Sequence, residues 1–317
     1  MGPATRDSYG KTLVELGREN PDIIVLDADL ATSTRTRFFA KEFPERFWNV
    51  GICEANMVGI AAGLAIDGKI PFISSFACFL MCKGYEQIRV SVVYPELNVK
   101  MVASHGGIVT GEDGPTQQSI EDFALALSFP GLVVLSPSDD PTTRALMRKA
   151  STHKGPIYMR TTRANVPLIY GDGSATGITP KFEIGKAIEL RKGSDVAIIA
   201  TGTMVFEALA AADELKKSKI DARVYDFHTL KPLDKNAVTI AAKECGAIVV
   251  AEEHQVYGGL GSSVAQEVGR TYPCPMEFVA IQDTYAESGK PEELLEKYGL
   301  TAKHIVAAAK KAFKKKK

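Results

Sequence analysis

The sequence predicts an α/β protein of two domains, each a mostly parallel sheet flanked by helices. Two observations predict it. Short apolar, β-branched runs alternate with helical patterns, and a glycine-rich stretch divides them into two series. Strands buried on both faces read as apolar runs, and their alternation with helices favours parallel pairing.

In the first series the expected strands are Ile23-Ile24-Val25-Leu26, Pro71-Phe72-Ile73, Val99-Lys100-Met101-Val102, Leu132-Val133-Val134-Leu135 and Ile157-Tyr158-Met159. Arg46-Phe47-Trp48-Asn49-Val50 is strand-like too, and a small-residue helix is expected from Glu54 to Ile66. Gly171-Asp172-Gly173-Ser174-Ala175-Thr176-Gly177 has the composition of a linker, which puts the domains at 1–172 and 173–317. The second series runs through Val196-Ala197-Ile198-Ile199, a helix over Val205 to Leu215, Ala222-Arg223-Val224-Tyr225, Ala247-Ile248-Val249-Val250 and Met276-Glu277-Phe278-Val279. A last helix begins near Thr301 and ends among Lys310, Lys311 and Lys314 to Lys317. Lysines there oppose the negative end of the helix dipole and keep the terminus solvated.

Composition excludes several functions. A chain of 317 residues suffices for two substantial cores, and its 38 basic and 38 acidic side chains cancel, leaving no field that would favour nucleic acid or an anionic membrane. Phosphate recognition must therefore be local. No apolar run approaches the roughly 18 residues that span a bilayer, and the N-terminus lacks a signal core. Cys53, Cys78, Cys82, Cys245 and Cys274 form no CxxC pair and no zinc-like spacing, so a reduced, cytoplasmic setting is expected. Cys78 and Cys82 fall on one helical face.

Three segments and two arginines combine residue types suited to chemistry. Gly51-Ile52-Cys53-Glu54-Ala55-Asn56-Met57-Val58-Gly59 sets Glu54 at a strand-to-helix turn, where α/β proteins place ligand-contacting groups, although the helix dipole favours an acidic residue there in any case. Ser104-His105-Gly106-Gly107-Ile108-Val109-Thr110-Gly111-Glu112-Asp113-Gly114-Pro115-Thr116-Gln117-Gln118 leaves the third strand and joins a histidine and two carboxylates to glycines that let backbone approach a ligand. Ser75-Phe76-Ala77-Cys78-Phe79-Leu80-Met81-Cys82 spaces two aromatics three apart, a pattern that serves a core or a dry pocket wall. Arg6 and Arg163 offer planar guanidinium forks suited to phosphate.

Taken together these segments resemble the transketolase family of thiamine-diphosphate enzymes, and the resemblance runs nearly end to end, to the C-terminal half of a full-length member. It implies that Glu54 hydrogen-bonds the aminopyrimidine ring of the cofactor and that Phe76 and Phe79 form the face on which the ring stacks. It implies further that Asp113 recognises a substrate hydroxyl, that His105 lies near the substrate phosphate, and that Arg6, Arg163 and Ser33 bind it. Many members carry histidine where Gln117 stands and others glutamine, so a catalytic role at 117 stays open; Cys82 replaces a third aromatic found in some.

In the family a Gly-Asp-Gly followed further on by asparagine holds magnesium against the diphosphate. Here no asparagine lies between Asn165 and Asn236, so Gly171-Asp172-Gly173 is expected to be a turn, with no metal ligands on this chain. The resemblance thus implies the pyrimidine-binding and C-terminal domains of a split transketolase, moving a two-carbon ketol unit between sugar phosphates. Thiamine diphosphate and Mg2+ would be completed by a separate diphosphate-binding N-terminal subunit, in an α2β2 assembly. Family members use the second domain mainly in subunit contacts, which leaves Glu252-Glu253-His254 without an assigned role. Two enzymes of related architecture remain alternatives: the β subunit of a 2-oxo acid dehydrogenase, which has no use for Arg6 and Arg163 as sugar-phosphate clamps, and a deoxyxylulose-phosphate-synthase-like enzyme. A non-catalytic scaffold of the same fold is a third, against which Glu54, Asp113 and both arginines in register argue.

Overall fold

A computed structural model describes residues 1–316. The first half runs α1 (Thr5–Glu19), β1 (Ile23–Asp27), α2 (Ala31–Thr34), α3 (Arg37–Glu42), β2 (Phe47–Asn49), α4 (Glu54–Ile66), β3 (Ile70–Ser74), α5 (Ala77–Lys83), α6 (Tyr85–Gln87), β4 (Lys100–Ala103), α7 (Asp122–Ser128), β5 (Val133–Leu135), α8 (Asp140–Thr152) and β6 (Ile157–Arg160). The second runs β7 (Ile188–Arg191), β8 (Val196–Ala200), α9 (Met204–Lys217), β9 (Ala222–Asp226), β10 (Thr229–Lys231), α10 (Lys235–Cys245), β11 (Ile248–Gln255), α11 (Leu260–Thr271), β12 (Met276–Ile281), α12 (Pro291–Lys297) and α13 (Ala302–Lys314).

The apolar runs become the buried interiors of two sheets. The first has the order β10-β5-β6-β4-β3-β1-β2 and the second β12-β11-β8-β9-β7. Pairing is parallel except at one edge of each, where β10 runs antiparallel to β5 and β7 antiparallel to β9. Neither β7 nor β10 carries an apolar run. Ile188-Glu189-Leu190-Arg191 alternates like an exposed edge, and Thr229-Leu230-Lys231 is too short and polar to signal a strand. Yet β10 belongs to the sheet of the first half, so the two halves interlock. A continuous apolar cluster joins them, with Phe129 and Val134 meeting Phe227, Leu230 and Val238.

Buried polar groups tie the seam. Asp139 accepts the backbone N–H of Thr142 at the start of α8 and, through its other oxygen, those of Ile169 and Tyr170. Asp226, at the end of β9, accepts the hydroxyls of Ser138 and Tyr170, each at 2.8 Å. Lys100, wholly buried in β4, donates to the side chain of Asn98 and to the carbonyls of His153 and Gly155. A buried ammonium is tolerable only with such partners.

At the C-terminus the lysines are more engaged than solvation requires. Lys311 and Lys315 both reach Glu277 on β12, and Lys316 donates to the carbonyls of Ser194 and Asp195. Lys317 lies outside the described residues. Among the described residues no helix is long and apolar enough to cross a membrane, and all five cysteines are free.

Burial pushes the pKa of Asp226 up from 3.8 to about 7. Between those values the folded state holds a proton that the unfolded state has lost, so stability falls as pH rises through this window. An Asp226→Asn variant does not titrate. Its Tm relative to wild type should therefore climb between pH 4 and 7, by an amount on the order of a few kcal/mol of stability, and level off above. Calorimetry at pH 5 and pH 8 checks this; a constant difference would show that Asp226 is ionised throughout.

Candidate active site

Parallel strands all present their carboxyl ends at one edge of a sheet, and loops leaving neighbouring strands must meet there. The candidate residues lie on such loops. Ser33 follows β1, Phe76 and Phe79 follow β3, His105 and Asp113 follow β4, and Arg163 follows β6. Arg6 enters from the first turn of α1, whose preceding residue Ala4 bridges to Asn165. Glu54 is the first residue of α4.

One end of the site is cationic. Arg6 donates from Nη1 to the carbonyl of Ser33 at 3.0 Å, while its buried Nε has no partner among the described residues. Arg163 donates from Nη1 to the carbonyl of Thr110 at 3.0 Å and to Glu112 Oε2 at 2.8 Å. Arg35, which no motif in the sequence marks, stands in the left-handed region at φ 72° and is anchored to Asp7 and to the carbonyl of Thr32. The loop it belongs to is folded by Asp27, which accepts the N–H of Leu30 and the hydroxyls of Thr34 and Thr36. Burial and the charges of Arg35 and Arg163 depress the pKa of Arg6 to about 10.

His105 lies between this cluster and the aromatics. Its φ of 61° is unusual for a residue with a side chain and marks a conformation that its neighbours impose. Those neighbours are Ser104, whose Oγ sits 2.8 Å from Nδ1, and Phe76, whose ring lies 3.7 Å away, centroid to centroid, at 20°. Asp113 Oδ2 is 3.8 Å from Nε2, beyond a hydrogen bond. Burial first, then Arg6, Arg163 and Arg35, hold the imidazole pKa down to about 3, so the ring is neutral.

The stack continues from Phe76 to Phe79, 5.4 Å away and 19° from parallel. Lys83 follows one helical turn on, with Nζ 4.7 Å from the Phe79 ring centre and 3.2 Å from Glu54 Oε2. Glu54 is 1% exposed, and its Oε1 accepts the hydroxyl of Ser75 at 2.9 Å. Lys83 carried no signal in its own segment; its role follows only from lying four residues after Phe79. The arrangement is a cationic end, a flat apolar middle and a buried carboxyl end.

The remaining expectations divide. Gln117 is half-exposed and its side chain meets only that of Thr116, whereas Gln118 turns inward to the carbonyls of Gly111 and Glu287. Cys78 is buried and Cys82 exposed, so they do not share an environment. Gly171 and Gly173 have positive φ around an exposed Asp172, a turn as expected. His254 Nδ1 donates to the carbonyl of Gln255, leaving Nε2 to accept the N–H of Ala124.

Residues 1–168 match the transketolase pyrimidine binding domain and residues 185–305 the transketolase C-terminal domain. The chain belongs to the transketolase family. It is 44% identical over 312 residues to a Methanocaldococcus jannaschii protein described as a transketolase C-terminal section, covering 98% of this chain and 96% of that protein. It is 43% identical to a 6-deoxy-6-sulfo-D-fructose transketolase subunit of Clostridium sp. strain MSTE9, covering 96% of this chain and 92% of the subunit. A solved split-gene transketolase, an inactive β4 tetramer, superposes with a TM-score of 0.90 at 47% identity, covering both chains in full. In extent this transketolase chain is thus similar to the C-terminal sections and subunits of split members.

A neutral, buried His105 has a titration consequence. Its folded pKa lies below the ordinary 6.5, so its contribution to stability is present above pH 6.5 and is lost as pH falls toward 3. Nitrogen NMR should find this imidazole unprotonated at pH 5, where an ordinary histidine is mostly charged. A midpoint near 6.5 would mean that the ring is solvated and unstacked.

Proposed function

We propose that this chain is the C-terminal subunit of a thiamine-diphosphate-dependent transketolase, transferring a two-carbon ketol unit from ketose phosphates to aldose phosphates. One observation carries the reading: guanidinium groups, a three-ring stack and a buried carboxyl lie in that order along one sheet edge. A sugar phosphate whose anionic end reaches Arg6 and Arg163 extends toward the stack, and a flat heterocycle on the stack meets the carboxyl. These are the groups that an aminopyrimidine and a phosphorylated substrate need.

When bound, the cofactor supplies the nucleophilic carbon and the electron sink for breaking and making the carbon–carbon bond. The chain's own residues bind and orient. Glu54 would hold the aminopyrimidine through a shared proton, its carboxyl oriented by the hydroxyl of Ser75. Phe76 and Phe79 support the ring and exclude water, which strengthens that hydrogen bond. Lys83, half-exposed beside Glu54 Oε2, would leave the carboxyl free to meet the ring. At the other end, Arg6, Arg163 and Ser33 take the phosphate, neutral His105 donates or accepts without adding charge, and Asp113 takes a hydroxyl.

Magnesium and the diphosphate fall to a second, diphosphate-binding subunit, in an α2β2 assembly in the cytoplasm. The helix α4 supports a partner beside the site. Apart from Glu54 and Asn56 it is apolar, and Asn56, Gly59, Gly63 and Ile66 form an exposed face on which a Cβ added at either glycine would meet nothing within 4 Å. Such a face admits another backbone closely and is unfavourable left in water. Arg6 and Arg163 also weigh against a 2-oxo acid dehydrogenase, whose substrates lack a phosphate to clamp.

The deciding experiment combines the chain with its diphosphate-binding subunit and assays ketol transfer with thiamine diphosphate and magnesium. Activity is expected from the mixture and from neither part alone; transfer by this chain alone would refute the split reading. In the mixture Glu54→Gln should assemble normally and lose about 100- to 10,000-fold in activity, because an amide cannot share the proton. A loss of only a few-fold at saturating cofactor would assign Glu54 to structure.

Arg163→Ala is expected to raise KM for phosphorylated acceptors by more than about tenfold, the worth of a charge-assisted hydrogen bond, and to change unphosphorylated ones little. Steady-state kinetics on paired acceptors decides it: an equal loss for both classes puts Arg163 outside the phosphate site.

A further inference from the structure

Glu252-Glu253-His254, at the end of β11, contributes no side chain to the site described, yet it reaches the loop that carries His105 and Asp113. Glu253 is 4% exposed. Its Oε1 accepts the N–H of Val109 at 2.7 Å, and its Oε2 accepts the hydroxyl of Thr203 at 2.6 Å. Its carbonyl accepts Arg160 Nη2 at 2.8 Å. Arg160 is buried too, lying 3.6 Å from Asp122 and over the ring of Phe123. Alongside, the N–H of Gln255 donates to the carbonyl of Ile120 at 2.8 Å, and His254 accepts from Ala124. The end of β11 therefore holds this loop at Gly107, Val109, Ile120 and Ala124, while residues 287–291 flank it at Gly111, Gly114 and Gln118.

The loop is shaped to sit there. Gly107 has φ 82°, and a Cβ on it would stand 2.1 Å from Glu253 Oε1; one on Gly106 would stand 1.9 Å from Arg160 Nε. Backbone thus rests directly on the Glu253–Arg160 pair, which only glycine permits. Val109 lies in the first of two short 3-10 turns within Ile108–Asp113, which meet at a kink at Gly111 (φ 77°), and the carbonyl of Thr110 in that first turn holds Arg163. Displacing Val109 moves Thr110 directly and the start of the chain that runs through Gly111 to Asp113.

We propose that Glu253 is a positioning residue for substrate recognition, by which the second domain fixes the 3-10 turn whose Thr110 orients Arg163 and from which the chain runs on through Gly111 to Asp113. A buried carboxylate suits the task because it accepts two hydrogen bonds in fixed directions and its position is held from two further elements, Thr203 and Arg160. The inference rests on the reading that Asp113 and Arg163 contact the substrate.

The test uses the complex with the diphosphate-binding subunit. Glu253→Ala should raise KM for phosphorylated donor and acceptor about tenfold, as a misplaced binding group does, with kcat at saturation within about threefold. A merely structural role would lower the folded fraction and hence kcat, and leave KM alone. Glu253→Gln should restore KM to within about twofold, because the amide oxygen still accepts from Val109 while its NH2 donates to Thr203. If Glu253→Ala does not assemble, Thr203→Val carries the test, with KM expected to rise about fivefold for one lost hydrogen bond. An unchanged KM in the assembling variants, or a Glu253→Gln enzyme as impaired as the alanine form, overturns the proposal. Arg163→Ala separates the two levels: an effect there without one at Glu253 sinks only this inference, and no effect there sinks the phosphate site itself.

Discussion

A parallel sheet buried on both faces leaves one place where polar side chains can be gathered without desolvation, the edge at which the strands end. Everything assigned here depends on that constraint. Because β1, β3, β4 and β6 lie side by side and point the same way, residues separated by more than a hundred positions share one edge. The helices cover the faces and, at their first turns, join the loops in carrying the candidate residues, as Arg6, Glu54 and Phe79 do. Recognition is therefore a property of strand order, and the order depends on the apolar runs pairing as they do.

Along that edge the electrostatics are graded. Burial first, and then the charges of Arg6, Arg163 and Arg35 at one end, hold His105 neutral, and the neutral imidazole continues the aromatic stack rather than adding a further cation. At the far end a half-exposed ammonium, Lys83, answers the buried carboxyl of Glu54. In water such a pair is worth little, which is what a displaceable contact requires. The middle carries no charge, so a ligand spanning the edge meets opposite polarities at its two ends and a dry surface between.

The second half of the chain has a larger part in the first than domain language suggests. It completes the first sheet through β10, shares its apolar cluster, and seats the β4 loop on Glu253. Arg160 shows the same coupling from the other side, as a strand residue of the first sheet whose guanidinium binds a carbonyl of the second. The β4 loop and the packing between the two halves are thus held by the same contacts.

What the sequence by itself determined was the set of long signals. The apolar runs of β1, β3, β4, β8, β9 and β11 are legible because burial on both faces leaves no other composition, and α4 is legible because small residues run on from Glu54. The candidate site residues came from resemblance, in motifs where residue type and order are both restrictive. Edge strands such as β10 were not, since an exposed, three-residue strand is defined by the partner it pairs with. Nor were Lys83, Arg35 or Glu253, because each acts through a contact whose other member lies on a different element, and a single side chain of common type carries no mark of that. The neutrality of His105 likewise belongs to the tertiary structure alone, since burial and guanidinium charges brought from distant segments decide it.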